Sequence, residues 1–192
     1  KAPAAIGIYK MDIKTGVSEL IISTAEIAAI PNKDGVIPDR YSHYFNHLLV
    51  SPDGKRLIFL HRYRDKKPIP GSSGGGFITR MFTANVDGTD IFMLDPSGKT
   101  SHFIWKGTSH VTAWSEPEGH PAAFYDFQDR TGGFQIIGKE AMTVNGHNTY
   151  VPHTNNEWIL NDTYPDKVDR LQTLYLYHVP TNRKVVLGKF YE

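Results

Sequence analysis

The chain repeats one pattern, in which a histidine lies about five residues ahead of a turn and an apolar strand follows that turn. The three histidines are His47, His102 and His147. The second interval, 147 − 102 = 45 residues, is typical of one β-propeller blade, and the first, 55, becomes similar when a Gly-rich insertion is subtracted. Equivalent positions on successive blades converge on a common axis. The pattern therefore predicts a cluster of imidazoles that are far apart in sequence.

Apolar strands joined by polar turns predict β-hairpins along the whole chain. Three hairpins carry the histidines: NHLLVSPDGKRLIFLHR, TSHFIWKGTSHVTAWS and NGHNTYVPHTNNEWILND. Four more alternate with them: IGIYKMDIKTGVSELI, TRMFTANVDGTDIFML, AAFYDFQDRTGGFQIIG and LYLYHVPTNRKVVLG. We therefore expect an all-β chain, a β-propeller of four-stranded antiparallel blades, with a half blade at 1–23 and blades at about 45–95, 100–139 and 146–190.

Three and a half blades do not close a propeller, which needs roughly four to eight. We expect residues 1–192 to be a single partial propeller domain of a seven-bladed parent, whose remaining blades come from the rest of the parent chain. The start KAPAAIGIYK resembles the middle of a strand pair, so we expect the native N-terminus to be missing. One short helix is expected in ISTAEIAAI, where Ser23 or Thr24 caps a turn ahead of Glu26.

Composition limits the function classes. The net charge of +1 argues against nucleic-acid and membrane-surface partners, and no run of eighteen apolar residues is present. The absence of cysteine excludes disulfides, thiolate metal sites and cysteine nucleophiles. No GxSxG, HExxH, kinase-type or phosphate-loop motif occurs.

An ordered set of motifs over roughly residues 46 to 190 carries a family resemblance. The motifs are the SPDGK turn, the strand ending FLHR, TRMFTANVDGTD, SHFIW, and GHNTYVPHTNNEWILNDTYPD followed by LYLYHVPTNRKVVLG. With them the chain resembles the oligogalacturonate lyases and their relatives among bacterial seven-bladed propellers. SPDG alone also recurs in bacterial propellers of the TolB type. The resemblance implies β-elimination on uronic-acid oligosaccharides such as pectin fragments, already imported into the cytoplasm or periplasm.

That chemistry removes the weakly acidic C5 proton of a uronic acid and expels the glycosidic oxygen at C4. It needs a base, a partner for the carboxylate and stabilisation of developing charge. The resemblance implies that Arg80 takes the C5 proton and that His102 positions substrate or transfers a proton. From the residues alone, Arg80 equally suits pairing with the substrate carboxylate or a place beside a strand.

The resemblance also implies that His147 is the first ligand of a divalent metal, which we expect to be manganese. The family's other ligands, a glutamine and two histidines, come from the following blade, so we expect an incomplete site in this chain. His153 is expected to be a solvated turn residue. Asp162 and Asp166 offer a carboxylate pair, but their separation by a Tyr-Pro turn favours a structural role.

Substrate contacts are expected from the first complete blade. His47 shares the histidine spacing, whereas His61 and Arg62 end the second strand and suit either the same mouth or structural roles. The insertion at residues 62–79 has a basic half that suits an anionic sugar and a flexible GSSGGG half. Four aromatic residues suit stacking on sugar rings: Tyr41, Tyr44, Tyr63 and Tyr164.

Three functions stay open. The first is a lyase-like propeller acting on acidic oligosaccharides. The second is a noncatalytic propeller that binds sugars or proteins. The third is an inactive fragment of a larger enzyme.

Overall fold

A computed structural model of the protein describes residues 2–65 and 76–191. The chain forms two compact units, Lys1–Gly98 and Lys99–Glu192. Strands that are consecutive in sequence pair antiparallel in every sheet. The described part is all-β except for one short helix, and three of its sheets have four strands, as propeller blades do. The predicted all-β class and four-stranded antiparallel sheets are confirmed. None of the described helical residues forms a segment with the length and apolar character needed to cross a membrane.

The first unit contains a two-stranded and a four-stranded sheet. The two-stranded sheet consists of β1 (Gly7–Met11) and β2 (Ser18–Ser23), followed by helix α1 (Thr24–Ala29). The four-stranded sheet consists of β3 (Tyr41–Val50), β4 (Arg56–Asp65), β5 (Ile78–Asn85) and β6 (Phe92–Asp95). Their apolar faces share one core, which consists of Ile8, Ile22, Ile27, Leu57, Phe59, Phe82 and Ala84.

The β3–β4 hairpin closes through the SPDGK turn. Ser51 Oγ donates to Asp53 Oδ1 at 2.7 Å and accepts the Arg56 N–H at 2.9 Å. Gly54 has φ 72°, a left-handed conformation that glycine adopts without steric cost. These contacts fix the number of residues between β3 and β4, and therefore the pairing of the two strands.

The second unit contains two four-stranded sheets. The first consists of β7 (Phe103–Lys106), β8 (His110–Ser115), β9 (Ala123–Gln128) and β10 (Phe134–Ile137). The second consists of β11 (Asn148–Tyr150), β12 (Trp158–Asn161), β13 (Leu171–His178) and β14 (Arg183–Tyr191). The sheets pack through a core that consists of Phe124, Ile137, Met142, Tyr150, Ile159, Tyr175 and Tyr177. Hydrogen bonds also join them: the hydroxyls of Thr112 and Tyr150 lie 2.7 Å apart, and the Asn148 side-chain amide donates to the Thr112 carbonyl at 3.1 Å.

The predicted helix and its cap are confirmed, which gives a first test. Ser23 Oγ accepts the Glu26 N–H at 3.0 Å, at the N-cap of α1. We expect Ser23→Ala to lower the free energy of unfolding by about 1 kcal/mol, because a helix N–H loses its partner. Urea unfolding measures the effect, with Ser18→Ala on the exposed surface of β2 as the control. Equal unfolding midpoints for the two variants would show that the cap contributes nothing.

Candidate functional site

Two of the repeated histidines occupy the same place in the two sheets of the second unit. His102 immediately precedes β7, and Trp114 N–H donates to its carbonyl at 2.9 Å. His147 immediately precedes β11, and Asp162 N–H donates to its carbonyl at 3.1 Å. Each histidine therefore lies opposite the residue at the end of the second strand. This shared register brings the two imidazole centroids to 4.2 Å from one another.

The carboxylate of Asp162 fixes the orientation of the His147 ring. The backbone N–H of His147 donates to Asp162 Oδ1 at 2.6 Å, and Nδ1 lies 3.0 Å from Oδ2. A carboxylate only accepts, so Nδ1 carries the hydrogen and Nε2 of the neutral ring carries the lone pair. The side chain of His147 is 68% exposed. An exposed, carboxylate-oriented Nε2 can accept a proton or ligate a metal ion.

His102 is buried and lies in a chain of polar contacts. Its Nδ1 is 3.1 Å from Ser101 Oγ and 3.3 Å from Asn145 Oδ1. Its Nε2 is 3.4 Å from the hydroxyl of Tyr164, whose ring is half exposed. When Nδ1 donates to the Asn145 carbonyl oxygen, Nε2 accepts from the Tyr164 hydroxyl. When Ser101 Oγ donates to Nδ1, Nε2 carries the hydrogen and donates to the Tyr164 oxygen, and the Tyr164 proton is then available to another acceptor. Below, His102, His147, Asp162 and Tyr164 are called the imidazole cluster.

A close backbone approach holds His147 against Asp162. A Cβ on Gly146 would lie 1.8 Å from the carbonyl oxygen of Asp162, a distance that only glycine avoids. His147 follows Gly146 directly, so this approach brings its backbone N–H onto the Asp162 carboxylate. In the GHN segment, the glycine is therefore explained by backbone packing and the histidine by its contact with the Asp162 carboxylate.

His47 has the predicted spacing but a different position in its sheet. Asn46 pairs with Leu60 and Leu49 with Ile58, so His47 and Leu48 form a β-bulge opposite one residue of β4. His47 is exposed and has φ 51°. Counted from the turn along the second strand of each sheet, Leu60 corresponds to Asp162, so its partner Asn46 takes the place that His147 takes in its own sheet. The sequence does not reveal the bulge because Leu48, Leu49 and Val50 are apolar in succession and leave no alternation in which an extra residue would show. The role of His47 as a substrate contact stays a prediction.

Arg80 is fully buried in the first unit and donates to protein acceptors through all three guanidinium nitrogens. Its two terminal nitrogens donate to the carbonyls of Ile27 and Ile30 at 2.9 and 2.8 Å, where α1 ends. Nε donates to His61 Nδ1, at 3.4 Å. A buried cation at a helix C-terminus compensates the partial negative charge of the last carbonyls. These contacts describe a guanidinium that holds α1 against β4 and β5.

His61 continues this contact chain toward His43. Because Arg80 only donates, His61 Nδ1 accepts, and His61 Nε2 therefore carries the hydrogen that it donates to His43 Nδ1 at 3.0 Å. The two imidazole rings stack with centroids 5.2 Å apart. Burial, then the charge of Arg80 and then His43, lower the pKa of His61 to about 2. His61 is neutral throughout the physiological range, which suits a link in a buried network.

This low pKa predicts a pH-dependent stability. The unfolded chain binds a proton on His61 near pH 6.5 and the folded chain does not, so stability is greatest above that pH. Below it we expect the free energy of unfolding to fall by about 1.4 kcal/mol per pH unit. Urea unfolding at about pH 7.5 and about pH 5 measures the slope, and His61→Gln should reduce it. An unchanged slope in the variant would place the titrating group elsewhere.

The other residues predicted in the first unit lie around this network. Arg62 follows His61 on β4, so the two side chains point to opposite faces of the sheet, not into one mouth. Tyr63 stacks on His61 at 5.3 Å and accepts a hydrogen bond from Asn32. Tyr41 packs edge-on against Tyr63. Most of the insertion at residues 62–79, including its lysines and most of GSSGGG, lies outside the described residues.

Sequence reasoning missed two residues of the site and gave a third a purely structural role. Asn145 begins a predicted hairpin without an assigned role and His43 lies outside the quoted motifs, so only the fold shows that they contact His102 and His61. Asp162 was predicted to be structural, and it does hold a backbone N–H, but it also orients His147. His153 lies exposed in its turn. Asp166 accepts backbone N–H groups of its own loop, the nearest from Val168 at 2.7 Å.

The described side chains do not assemble a metal site by themselves. Within residues 2–65 and 76–191, no group of three or more His, Cys, Asp or Glu side chains is placed to hold an ion. His147 and its partner Asp162 alone do not meet the needs of a manganese or zinc site. The role of His147 as a metal ligand stays a prediction, and it requires donors other than His147 and Asp162.

No protein-family model matches the chain. No curated protein matches it either. Among solved structures, the chain is similar to TolB from Acinetobacter baumannii, with a TM-score of 0.43 and 14% sequence identity. The match covers 92% of this chain and 47% of that one, so the chain spans about half the length of that structure.

Proposed function

We propose that the chain forms blades of a β-propeller and that its imidazole cluster performs β-elimination on uronic-acid oligosaccharides. The observation that carries the proposal is that His147 and Tyr164 lie near one another. Asp162 orients the His147 ring, and the Tyr164 hydroxyl is hydrogen-bonded to His102. This arrangement places a base and an acid side by side, as elimination requires. The motif resemblance to oligogalacturonate lyases selects the substrate class.

In this proposal His147 Nε2 takes the C5 proton of the uronate. The electron pair of the C5–H bond forms the C4–C5 double bond, and the C4–O bond breaks. Tyr164 donates its hydroxyl proton to the departing oxygen, so charge does not accumulate on the leaving group. Return of the proton from His147 to Tyr164 restores the site. Asp162 stabilises the imidazolium that forms in between.

In this proposal Arg80 has a structural role, which is to hold α1 against β4 and β5, and it takes part in no chemical step. Its guanidinium donates to the end of α1 and to His61, and its high intrinsic pKa opposes a role as base. Manganese bound through His147 would supply charge neutralisation at the substrate carboxylate, but it would occupy the same Nε2 lone pair, so metal ligation and the base role are alternatives for His147. The described residues do not hold such an ion by themselves, and no step above depends on it.

Sugar binding without chemistry is the second candidate. The half-exposed ring of Tyr164 beside two imidazoles also suits stacking and hydrogen bonding to a sugar. Mass spectrometry of oligogalacturonate after incubation with the protein separates the two functions. Elimination yields a fragment one water lighter than the hydrolysis product. Unchanged substrate that nevertheless binds the protein would support the binding function and reject the lyase.

A further inference from the structure

A groove lies beside the imidazole cluster in the second unit. It encloses about 520 Å³ between the loop at residues 163–171 and the strands β13 and β14. Tyr164 lines the groove with its ring and lies 3.4 Å from His102 Nε2 with its hydroxyl. The groove therefore begins where the cluster ends. A ligand longer than one sugar would extend from one into the other.

A β-bulge brings two lysines to the wall of this groove. Lys184 and Lys189 are five residues apart, a spacing that places side chains on opposite faces of a regular strand. The bulge at Leu174 and Tyr175 changes this, because Lys184 pairs with Tyr177 and Lys189 pairs with Thr173. Both lysines therefore share the face that carries the groove, and both line it.

The charges of the groove favour an anion. Three lysines line it, Lys167, Lys184 and Lys189, against two aspartates. Each aspartate has one carboxylate oxygen engaged by loop N–H groups, Asp166 with Val168 at 2.7 Å and Asp169 with Leu171 at 3.0 Å.

Both lysines are exposed, and Lys184 is held by two contacts. The ammonium of Lys184 donates to the Ala141 carbonyl at 2.9 Å and lies 3.9 Å from the centroid of the Tyr175 ring. Burial lowers the pKa of Lys184. Its contacts hold one positive charge at a defined point, while Lys189 can turn toward a bound ligand.

We infer that this groove is a binding subsite for a carboxylate of an acidic oligosaccharide, next to the sugar held at the imidazole cluster. The identity of the sugar rests on the proposed function, whereas the anionic character of the ligand rests on the lysines. Tyr164 stacks on the sugar between the two positions. The subsite makes binding depend on oligosaccharide length, because a single uronate reaches only one of the two places.

Calorimetric titration of the protein with trigalacturonate and with galacturonate tests the subsite. We expect Lys189→Gln to weaken trimer binding about fivefold and to leave monomer binding unchanged. Lys189→Arg should retain the trimer affinity. The matched control is Lys139→Gln, an exposed lysine of the same unit that does not line the groove. Equal trimer affinities for Lys189→Gln and Lys139→Gln would overturn the inference. So would the absence of binding by both trigalacturonate and a glucuronate trimer.

The two proposals fail separately. A trimer affinity that depends on Lys189, in a protein that never cleaves the trimer, supports the subsite and rejects the lyase. Cleavage that depends on His147, with a trimer affinity indifferent to Lys189, supports the lyase and rejects the subsite.

Discussion

Arg80→Ala is expected to lower the free energy of unfolding by about 3–5 kcal/mol. The substitution removes a fully buried side chain that joins α1 to β4 and β5. It leaves the carbonyls of Ile27 and Ile30 and the lone pair of His61 Nδ1 buried without this donor. Urea unfolding monitored by tryptophan fluorescence or circular dichroism measures the loss.

Two control variants distinguish this structural role from the proton transfer that the family resemblance implies for Arg80. Arg80→Lys keeps the charge but not the planar fork that reaches several acceptors at once, so it should be only partly stable. Arg64→Ala removes an exposed arginine of the same hairpin and should cost little. An Arg80→Ala protein with unchanged stability that no longer cleaves substrate would show that Arg80 is catalytic.

His147→Ala is expected to reduce cleavage of oligogalacturonate by about 10²- to 10⁴-fold, the usual contribution of a general base. The ring is mostly exposed, so the fold should tolerate the change. Asp162→Asn should also reduce turnover, because an amide no longer stabilises the imidazolium. Initial rates at saturating substrate measure both effects. His153→Ala, at another exposed histidine of the same hairpin, is the control.

If His147→Ala lowers the rate of cleavage by much less than this, His147 is not the general base. If His147→Ala and His153→Ala cleave substrate at equal rates, the imidazole cluster does not perform the chemistry. If His147→Ala loses activity and added imidazole restores it, the missing group is identified as the base.

Local patterns predicted the strands, turns and helix cap well. The Ser23 cap and the SPDGK turn depend on residues within six positions of each other, and the structure has both. The pairing of His102 with His147 followed from the repeat, because both histidines directly precede the first strand of a sheet. Regular sheets therefore made the positions of two of the three repeated histidines predictable.

Irregular and distant contacts were not predictable. The bulge at His47 adjoins the apolar run LLV, and the bulge that aligns Lys184 with Lys189 lies in the apolar run VVL. Neither run alternates, so the extra residue does not show in the sequence. The burial of Arg80 depends on α1, fifty residues earlier in the chain, through the Ile30 carbonyl. A motif can indicate that an arginine matters, but only the fold shows which groups it contacts.

The central claim is that the imidazole cluster eliminates across the C4–C5 bond of a uronate. Ultraviolet absorbance of the conjugated product, followed while the protein acts on uronate oligosaccharides, tests it most directly. We predict a rise in absorbance with the wild-type protein that His147→Ala abolishes and His153→Ala retains. No rise with any uronate oligosaccharide, with manganese or calcium added and binding demonstrated, would contradict the claim.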